Sequence, residues 1–253
     1  MKEQTHFFVQ KENEGCVEVY VLAPGIRISF NQIDTGSWPK GDSSFFPERM
    51  LTFNLCISGR CDVSLAQNRY AIVKEQQVCV STIRPTKDFY YPGKHYYGIQ
   101  FYLDLSELER CGGQDFLTLL GIPLCRLRDT FCNADGLYLH HMNDAMLALV
   151  QDAWAGREEL DFGQLRYFMV RLLHELLTMP SGSEPDAYFT RSQITIVREA
   201  ESLILRDLSK RVTAREMAER FGISESSFKF YVKGILGESY LAYFRRKRME
   251  KAA

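Results

Sequence analysis

The chain has 253 residues, of which 45% are hydrophobic and 25% are charged. This composition excludes fibrous and disordered proteins, and at roughly 100 to 200 residues per domain the length predicts two domains. The sequence has no run of about 18 apolar residues, and its N-terminal segment lacks a basic stretch followed by an apolar one. Neither a membrane span nor a secretory signal is predicted, and we expect a cytoplasmic protein with no membrane partner.

Seven cysteines are present, at positions 16, 56, 61, 79, 111, 125 and 132. Their number is odd, none forms a CxxC pair, and a chain of this length does not need disulfide staples, so we expect reduced thiols. Cys56 and Cys79 lie within apolar runs, where cysteine behaves as a small buried hydrophobe. Packing is the favoured interpretation, and redox sensing is the alternative.

Basic residues are concentrated near the C-terminus. Between Arg206 and Lys251, twelve basic side chains stand against six acidic ones, although the whole chain has a net charge of −1. A segment of charge +6 on a body of charge −7 is typical of a polyanion-binding module attached to another domain. The alternative is a solvated helix face.

Short alternating or apolar runs fill residues 15–103 and are separated by turns rich in glycine, proline and serine. Several strands at close spacing with such turns predict an antiparallel barrel or sandwich. We therefore assign residues 1–104 to a β-rich region.

Helical spacing replaces this pattern in residues 105–180, most clearly over 137–153 and 162–179. The apolar residues of the second stretch fall along one stripe: Leu165, Phe168, Met169, Leu172, Leu173, Leu176 and Leu177. This stripe is either intramolecular core or a dimer seam. Residues 181–190 are predicted to be a linker. It would divide a sensor and dimerisation domain, residues 1–180, from a second domain, residues 191–253.

The second domain contains a helix-turn-helix pattern. Thr213 and Glu216 have the spacing of a capping box, which starts a helix at Ala214. Gly222 supplies a left-handed end to that helix, and Ser224 caps the next one. Two short helices joined by a glycine turn form the unit whose second helix enters the major groove of DNA.

Helical spacing in this second helix places its apolar residues on one side and polar residues on the other. Ser226 and Lys229 could bond base edges, Phe230 could lie on a thymine methyl, and Lys233 could reach a phosphate. The predicted DNA-binding residues are Thr213, Ser224, Ser226, Ser227, Lys229, Phe230 and Lys233. A helical hairpin with a solvated face is the alternative.

The C-terminal segment resembles the first half of the DNA-binding domain of the AraC/XylS family of transcriptional regulators. The elements that match are Ala218, Phe221, Gly222, Ser224, Phe228, Val232, Lys233, Gly237, Tyr243, Arg248 and Ala252, and residues 192–205 resemble the family's first helix. More loosely, residues 57–65 and 73–83 resemble a hairpin and the following strand in the cupin-like β-barrel of many members, and the branch that the chain resembles is the pyochelin-regulator-like one. The resemblance implies an α+β protein with an N-terminal cupin-like antiparallel β-barrel and packed helices, followed by an all-α helix-turn-helix domain.

The same resemblance implies a sequence-specific regulator that binds double-stranded DNA and responds to a small-molecule effector. The sequence departs from the family pattern in two ways, since it stops where a second helix-turn-helix would follow, and Phe230 stands where relatives often have arginine. A single module buries only about 600 to 1,000 Å² of protein surface and should bind DNA weakly. We therefore expect a homodimer, in which the second chain supplies a second helix-turn-helix. The alternative is a truncated, one-headed interaction protein that antagonises intact regulators by forming heterodimers.

Catalysis is not predicted, because the sequence has no paired histidine motif, no GxSxG and no glycine-rich phosphate loop. We expect no metal and no cofactor, since a metal site needs several converging histidines and carboxylates. The aromatic and basic stretch 84–97 suggests an effector pocket for an aromatic or anionic ligand, formed by Arg84, Tyr90, His95 and Tyr97. Ordinary strand packing is the alternative for these aromatic residues.

Overall fold

A computed structural model describes residues 5–39, 49–65, 69–83, 85–86, 88–131, 136–180 and 188–252. The chain divides into two compact units. The first comprises Met1–Gln67 and Ala71–Ala187, and the second comprises Asn68–Tyr70 and Tyr188–Ala253.

Antiparallel strands dominate the first part of the chain, as the sequence predicted. They are β1 (Thr5–Lys11), β2 (Gly15–Ala23), β3 (Ile26–Ile33), β4 (Ser37–Trp38), β5 (Met50–Leu65), β6 (Arg69–Lys74), β7 (Gln77–Ser81), β8 (Phe89–Tyr90), β9 (Tyr96–Asp104) and β10 (Leu137–His141). Their order in the sheet begins β1-β2-β3-β9-β5-β6, while β7 joins β5 to β10 and β8 joins β5 to β4. Among the described strands these pairings do not return to β1, so the expected closed barrel is corrected to an open sheet.

The two faces of this sheet differ in chemistry because side chains alternate along each strand. Along β9, Ile99, Phe101 and Leu103 are buried in the main hydrophobic cluster, which also contains side chains of the helices. The ring of Phe101, for example, lies 5.7 Å from that of Phe168. The intervening residue Gln100 is also buried, but it belongs to the opposite face.

Helices cover the apolar face of the sheet. They are α1 (Leu105–Arg110), α2 (Gly113–Leu119), α3 (Leu124–Phe131), α4 (Asp144–Ala155) and α5 (Phe162–Leu177). The sequence starts α5 with a capping box, in which Asp161 accepts from Gln164 N and the Gln164 side chain accepts from Asp161 N, both at 2.8 Å.

The apolar stripe of α5 belongs to the intramolecular core. Its members from Leu165 to Leu176 are buried with the strand residues, and Leu177 is packed against the same cluster. Burial of this kind stabilises a fold by roughly 1.5 to 3 kcal/mol per large aliphatic side chain. The stripe is therefore not available as a dimer seam.

Two predicted boundaries need correction. Residues 137–141, predicted to be helical, form β10, which pairs with β7 from Leu137↔Ser81 to His141↔Gln77. The helix starts later because Asn143 caps it by accepting from Met146 N at 2.8 Å. Of the predicted linker, residues 181–187 lie outside the described residues, whereas Tyr188–Thr190 form the strand β11.

The buried cysteines are packing residues. Cys56, Cys61 and Cys79 are buried, and burial raises the pKa of all three thiols, that of Cys79 to about 12. Only the thiolate is a good nucleophile, so these thiols are inert near neutral pH. Cys132 lies outside the described residues.

The second unit continues after β11 with four helices: α6 (Arg191–Arg206), α7 (Ala214–Arg220), α8 (Glu225–Leu236) and α9 (Tyr240–Ala252). Their buried faces form a small separate core that includes Val197 of α6, Met217 of α7, Phe228 of α8 and Phe244 of α9. Within the described ranges, no helix has both the length and the apolar character needed to cross a membrane.

Candidate functional site

Each of the helices α7 and α8 begins at a residue whose side chain caps its N-terminus. Thr213 Oγ1 accepts from Glu216 N at 3.2 Å, and Glu216 Oε2 accepts from Thr213 N at 2.7 Å, so the predicted capping box is present. The bonds that the Glu216 carboxylate accepts from the backbone N and the hydroxyl of Thr213 lower the pKa of this carboxyl. Ser224 Oγ accepts from Ser227 N at 3.0 Å and starts α8. The N-termini of both helices are therefore fixed by hydrogen bonds between residues that are close in sequence.

The turn between the two helices depends on Gly222, whose φ is +65°. This left-handed conformation favours glycine because a Cβ would crowd the backbone. Ile223 N then donates to Ala218 O at 3.1 Å, which closes the turn.

The next helix, α8, has one buried face and one exposed face. Phe228, Val232 and Ile235 are buried, and the ring of Phe228 lies 5.5 Å from that of Tyr240 on α9. The opposite face exposes four of the predicted DNA-binding residues: Ser226, Lys229, Phe230 and Lys233. The helix therefore presents these side chains from a rigid support.

The polar residues on this face differ in how they are engaged. Lys229 Nζ forms an ion pair with Glu225 at 2.6 Å, one turn earlier on the same helix. Ser224 Oγ lies 3.2 Å from Ser226 Oγ and donates to Ser227 Oγ at 2.8 Å. Lys233 is exposed, and no acidic group among the described residues forms an ion pair with it.

Phe230 is exposed by 39%, but its ring also lies 5.8 Å from that of Phe189 on β11. Phe189 itself is buried, and its ring covers Gly234 so closely that a Cβ there would collide with the ring. Glycine inside a helix costs about 1 kcal/mol relative to alanine, so its presence at Gly234 reflects this close approach. Sequence reasoning missed this support, although an isolated glycine within an apolar helix was its signal.

Some of the basic side chains on α9 are already engaged within the second unit. Arg246 pairs with Glu238 at 2.6 Å and with Glu250 at 2.5 Å, while Lys247 pairs with Glu250 at 2.7 Å. Arg248 donates to Ser209 O at 2.8 Å. The segment charge of +6 already counts both glutamates, so these pairs decide which cations of the helix are engaged and leave the net charge unchanged.

Of the four predicted effector residues, the structure shows two in contact, His95 and Tyr97. Arg84 lies outside the described residues, and Tyr90 is 42% exposed on the short strand β8. His95 and Tyr97 do lie together, with ring centroids 4.3 Å apart. Their further contacts are structural: His95 Nε2 lies 3.1 Å from Ser58 Oγ, and Tyr97 stacks on Trp154 of α4 with ring centroids 5.4 Å apart.

A more concentrated polar site lies on the sheet face opposite the helices. Ser29, Gln100, Asn54 and Cys79 stand directly opposite one another across β3, β9, β5 and β7. All four are buried. Side chains at such positions share one face and are neighbours. Ser29, Gln100 and Asn54 therefore form a polar row, which ends at the Cys79 thiol on the fourth strand.

Tyrosine hydroxyls complete this polar row. Tyr96 donates to Asn54 Oδ1, and Tyr102 donates to Gln100 Oε1. Burial raises the pKa of both phenols, which keeps them protonated as donors. The buried Asn31 Oδ1 on β3, by contrast, has no hydrogen-bond partner among the described residues.

The polar row borders a cavity of about 40 Å³. Its described lining includes Asn54, Gln100, Thr52, Ser81 and Phe89, and no described lining residue carries a charge. The sequence signal for this site was a single polar residue between apolar neighbours in each strand, such as Gln100 between Ile99 and Phe101. In the described part of the chain, no group of three histidine, cysteine or acidic residues could hold a metal ion.

No protein-family model and no curated protein matches this chain. Similar solved structures include the AraC-like transcriptional activator CuxR, which has 13% sequence identity to this chain and a TM-score of 0.39. That alignment covers 96% of this chain and 83% of CuxR. ToxT from Vibrio cholerae has 9% identity, with 90% and 82% covered and a TM-score of 0.34. A mutant of the oxalate decarboxylase OxdC from Bacillus subtilis has 10% identity, with 40% and 28% covered and a TM-score of 0.29.

The packing of Phe189 on α8 gives a testable prediction. Gly234→Ala should destabilise the second unit, because the clash with Phe189 costs about 1 to 3 kcal/mol and outweighs the gain of about 1 kcal/mol in helix propensity. Thermal unfolding followed by circular dichroism measures this change. The exposed control Ser226→Ala should stay within about 0.5 kcal/mol of the native chain. A second substitution, Phe189→Leu, should restore stability to Gly234→Ala, and a double variant no more stable than Gly234→Ala alone would contradict this account.

Proposed function

We propose that this chain is a sequence-specific DNA-binding transcriptional regulator whose DNA contacts come from α8. The observation that carries this proposal is the exposed face of α8, where Ser226, Lys229, Phe230 and Lys233 project from a helix that is capped, buried on its other side and joined to α7 by a left-handed turn. Hydroxyl and ammonium groups on such a helix suit the base edges and phosphates of a major groove.

Lys229 can exchange its ion pair for a base contact. An exposed pair at this helical spacing, such as Lys229 with Glu225, contributes about 0.3 to 0.5 kcal/mol. A good bidentate contact between lysine and guanine discriminates by about 1 to 3 kcal/mol. The gain exceeds the loss, so Glu225 holds Lys229 in place before binding and does not prevent it from reaching DNA.

The other residues on this face divide the work. Lys233 is a phosphate ligand that does not have to break an ion pair, and Ser226 at the start of α8 is a base-edge ligand. Ser224, Ser227 and Thr213 act first as helix caps, which fix the position of the contacting residues. A homodimer would present two such helices to two half-sites.

The sensor function is proposed for the polar cavity on the sheet. Its described residues offer neutral donors and acceptors, among them Thr52, Asn54, Ser81 and Gln100. Pockets for drug-sized ligands have volumes of about 300 to 1,000 Å³, whereas a cavity of about 40 Å³ has room for only about three water-sized groups, so the proposed effector is very small. A neutral ligand with hydroxyl or amide groups fits this site better than the aromatic or anionic one expected from the sequence.

The alternative of a heterodimerising antagonist is not favoured. One surface that such pairing could have used, the apolar stripe along α5, is buried in the core of the first unit. Substitutions such as Leu172→Asp would unfold the first unit and would not report on a partner.

Two lysine variants test the DNA-binding proposal. Duplexes selected by the full chain from a random pool, together with scrambled duplexes, are titrated by fluorescence anisotropy at several salt concentrations. Lys233→Ala should weaken binding to both kinds of duplex and reduce the salt slope by about one. Lys229→Ala should lower the binding free energy of the selected duplex by about 1 to 3 kcal/mol and relax the preference at one base position. The matched control is Lys210→Ala, which removes an exposed lysine outside α8. Failure to select any duplex, or equal effects from Lys210→Ala and Lys233→Ala, would contradict the proposal.

A third variant tests the effector site. Matched pairs of very small ligands, formamide with formate and acetamide with acetate, are compared by the rise that each causes in the unfolding temperature of the first unit. We expect the neutral members to stabilise the native chain and the anions not to. Thr52→Val should abolish this stabilisation with little change in basal stability, because valine keeps the volume of the side chain and removes only a hydroxyl that lines the cavity. Stabilisation by the anions alone, or an unchanged response of Thr52→Val, would contradict the assignment.

A further inference from the structure

A second concave surface lies in the second unit, away from the exposed face of α8. It is a groove of about 490 Å³ between one side of α6 and the end of α7. None of the residues that line it belongs to α8. Its chemistry therefore has to be explained separately from the proposed DNA contacts.

The rim of the groove is basic. Arg198, Arg206 and Arg220 line it, against one acidic lining residue, Glu199. Arg198 Nη1 is held by Glu201 at 3.0 Å, and Glu201 also accepts from the Tyr243 hydroxyl of α9. Arg206 and Arg220 are exposed, and neither forms an ion pair with an acidic group in the described ranges. Two guanidinium groups are thus available to a ligand.

The floor of the groove is apolar. Ile194 and Leu203 of α6 and Phe221 after α7 are half-buried, so each keeps hydrophobic surface in contact with water. Covering such surface contributes roughly 25 cal/mol per Å². A ligand that only paired with the arginines would leave this contribution unused.

The shape of the groove suits an elongated ligand. The lining residues of α6 run from Ile194 to Arg206, and at a rise of 1.5 Å per residue this stretch is about 18 Å long. A helix of about three turns has the same length. A small anion at these exposed arginines would stay largely hydrated, and exposed ion pairs contribute only about 0 to 1 kcal/mol.

We propose that this groove binds an acidic amphipathic helix of a partner protein. Apolar side chains of that helix would cover Ile194, Leu203 and Phe221, while its carboxylates pair with Arg206 and Arg220. Arginine suits this role because its planar guanidinium binds carboxylates with two parallel hydrogen bonds. The arrangement is the helix-in-groove mode of recognition, in which apolar anchors supply affinity and flanking charges supply selectivity.

The test uses the full chain and two fluorescent 15-residue peptides. One carries leucine along one face and glutamate elsewhere, and its twin has glutamine in place of every glutamate. We expect the glutamate peptide to bind about tenfold more tightly than its twin, since charged hydrogen bonds are about twice as strong as neutral ones. We also expect the variant Arg206→Glu/Arg220→Glu to bind the glutamate peptide at least about tenfold more weakly than the native chain, because attraction becomes repulsion.

The matched control is Lys210→Glu/Arg245→Glu, which makes the same change in charge at exposed positions outside the groove. It should change peptide affinity by less than about threefold, as expected for rim charges far from the contact. Circular dichroism verifies that both variants are folded. Equal loss of peptide binding in the two variants, equal binding of the two peptides, or no binding of the glutamate peptide would overturn the proposal. A selective loss of duplex binding in Arg206→Glu/Arg220→Glu would also overturn it, because the groove would then belong to the DNA surface.

Discussion

The alternation of side chains along β3, β9 and β5 is the constraint on which the first unit depends. A strand turns successive residues to opposite faces, so one register fixes both the apolar face under the helices and the polar row on the other side. Phe101 packs on Phe168, and its neighbour Gln100 stands between Ser29 and Asn54. A shift of one residue would bury the polar row against the helices and expose the core.

In the second unit, α8 likewise has two faces that are fixed together. Its buried face is fixed by Phe228, Val232 and Ile235, and its flank is fixed by Phe189 lying over Gly234. These contacts leave only the face with Lys229 and Lys233 exposed to a ligand. Rigid presentation lowers the conformational entropy that binding costs, which is why a helix with two distinct faces makes a good reading element.

Local patterns were predicted well from the sequence. The capping box at Thr213, the left-handed turn at Gly222 and the cap at Ser224 depend on neighbouring residues, and all three are present. Features that depend on contacts distant in sequence were missed. The row from Ser29 to Cys79 needs the register of four strands, and no single segment shows it.

Two further differences have similar causes. The segment 137–141 has helical spacing but forms β10, because pairing with β7 outweighs local propensity. His95 and Tyr97 were grouped with Tyr90 by their closeness in sequence, although Tyr97 stacks on Trp154 of α4 while Tyr90 lies on β8.

The most direct test of the central claim is to locate α8 on DNA. An iron chelate that cleaves nearby DNA is attached through Ser226→Cys in a chain whose other accessible cysteines are replaced by serine, and is compared with attachment through Leu241→Cys on the exposed side of α9. The account predicts cleavage confined to a few adjacent base pairs of a selected duplex from position 226 and weak cleavage from position 241. Diffuse cleavage from position 226, equal to that from position 241, would show that α8 does not enter the groove and would contradict the account.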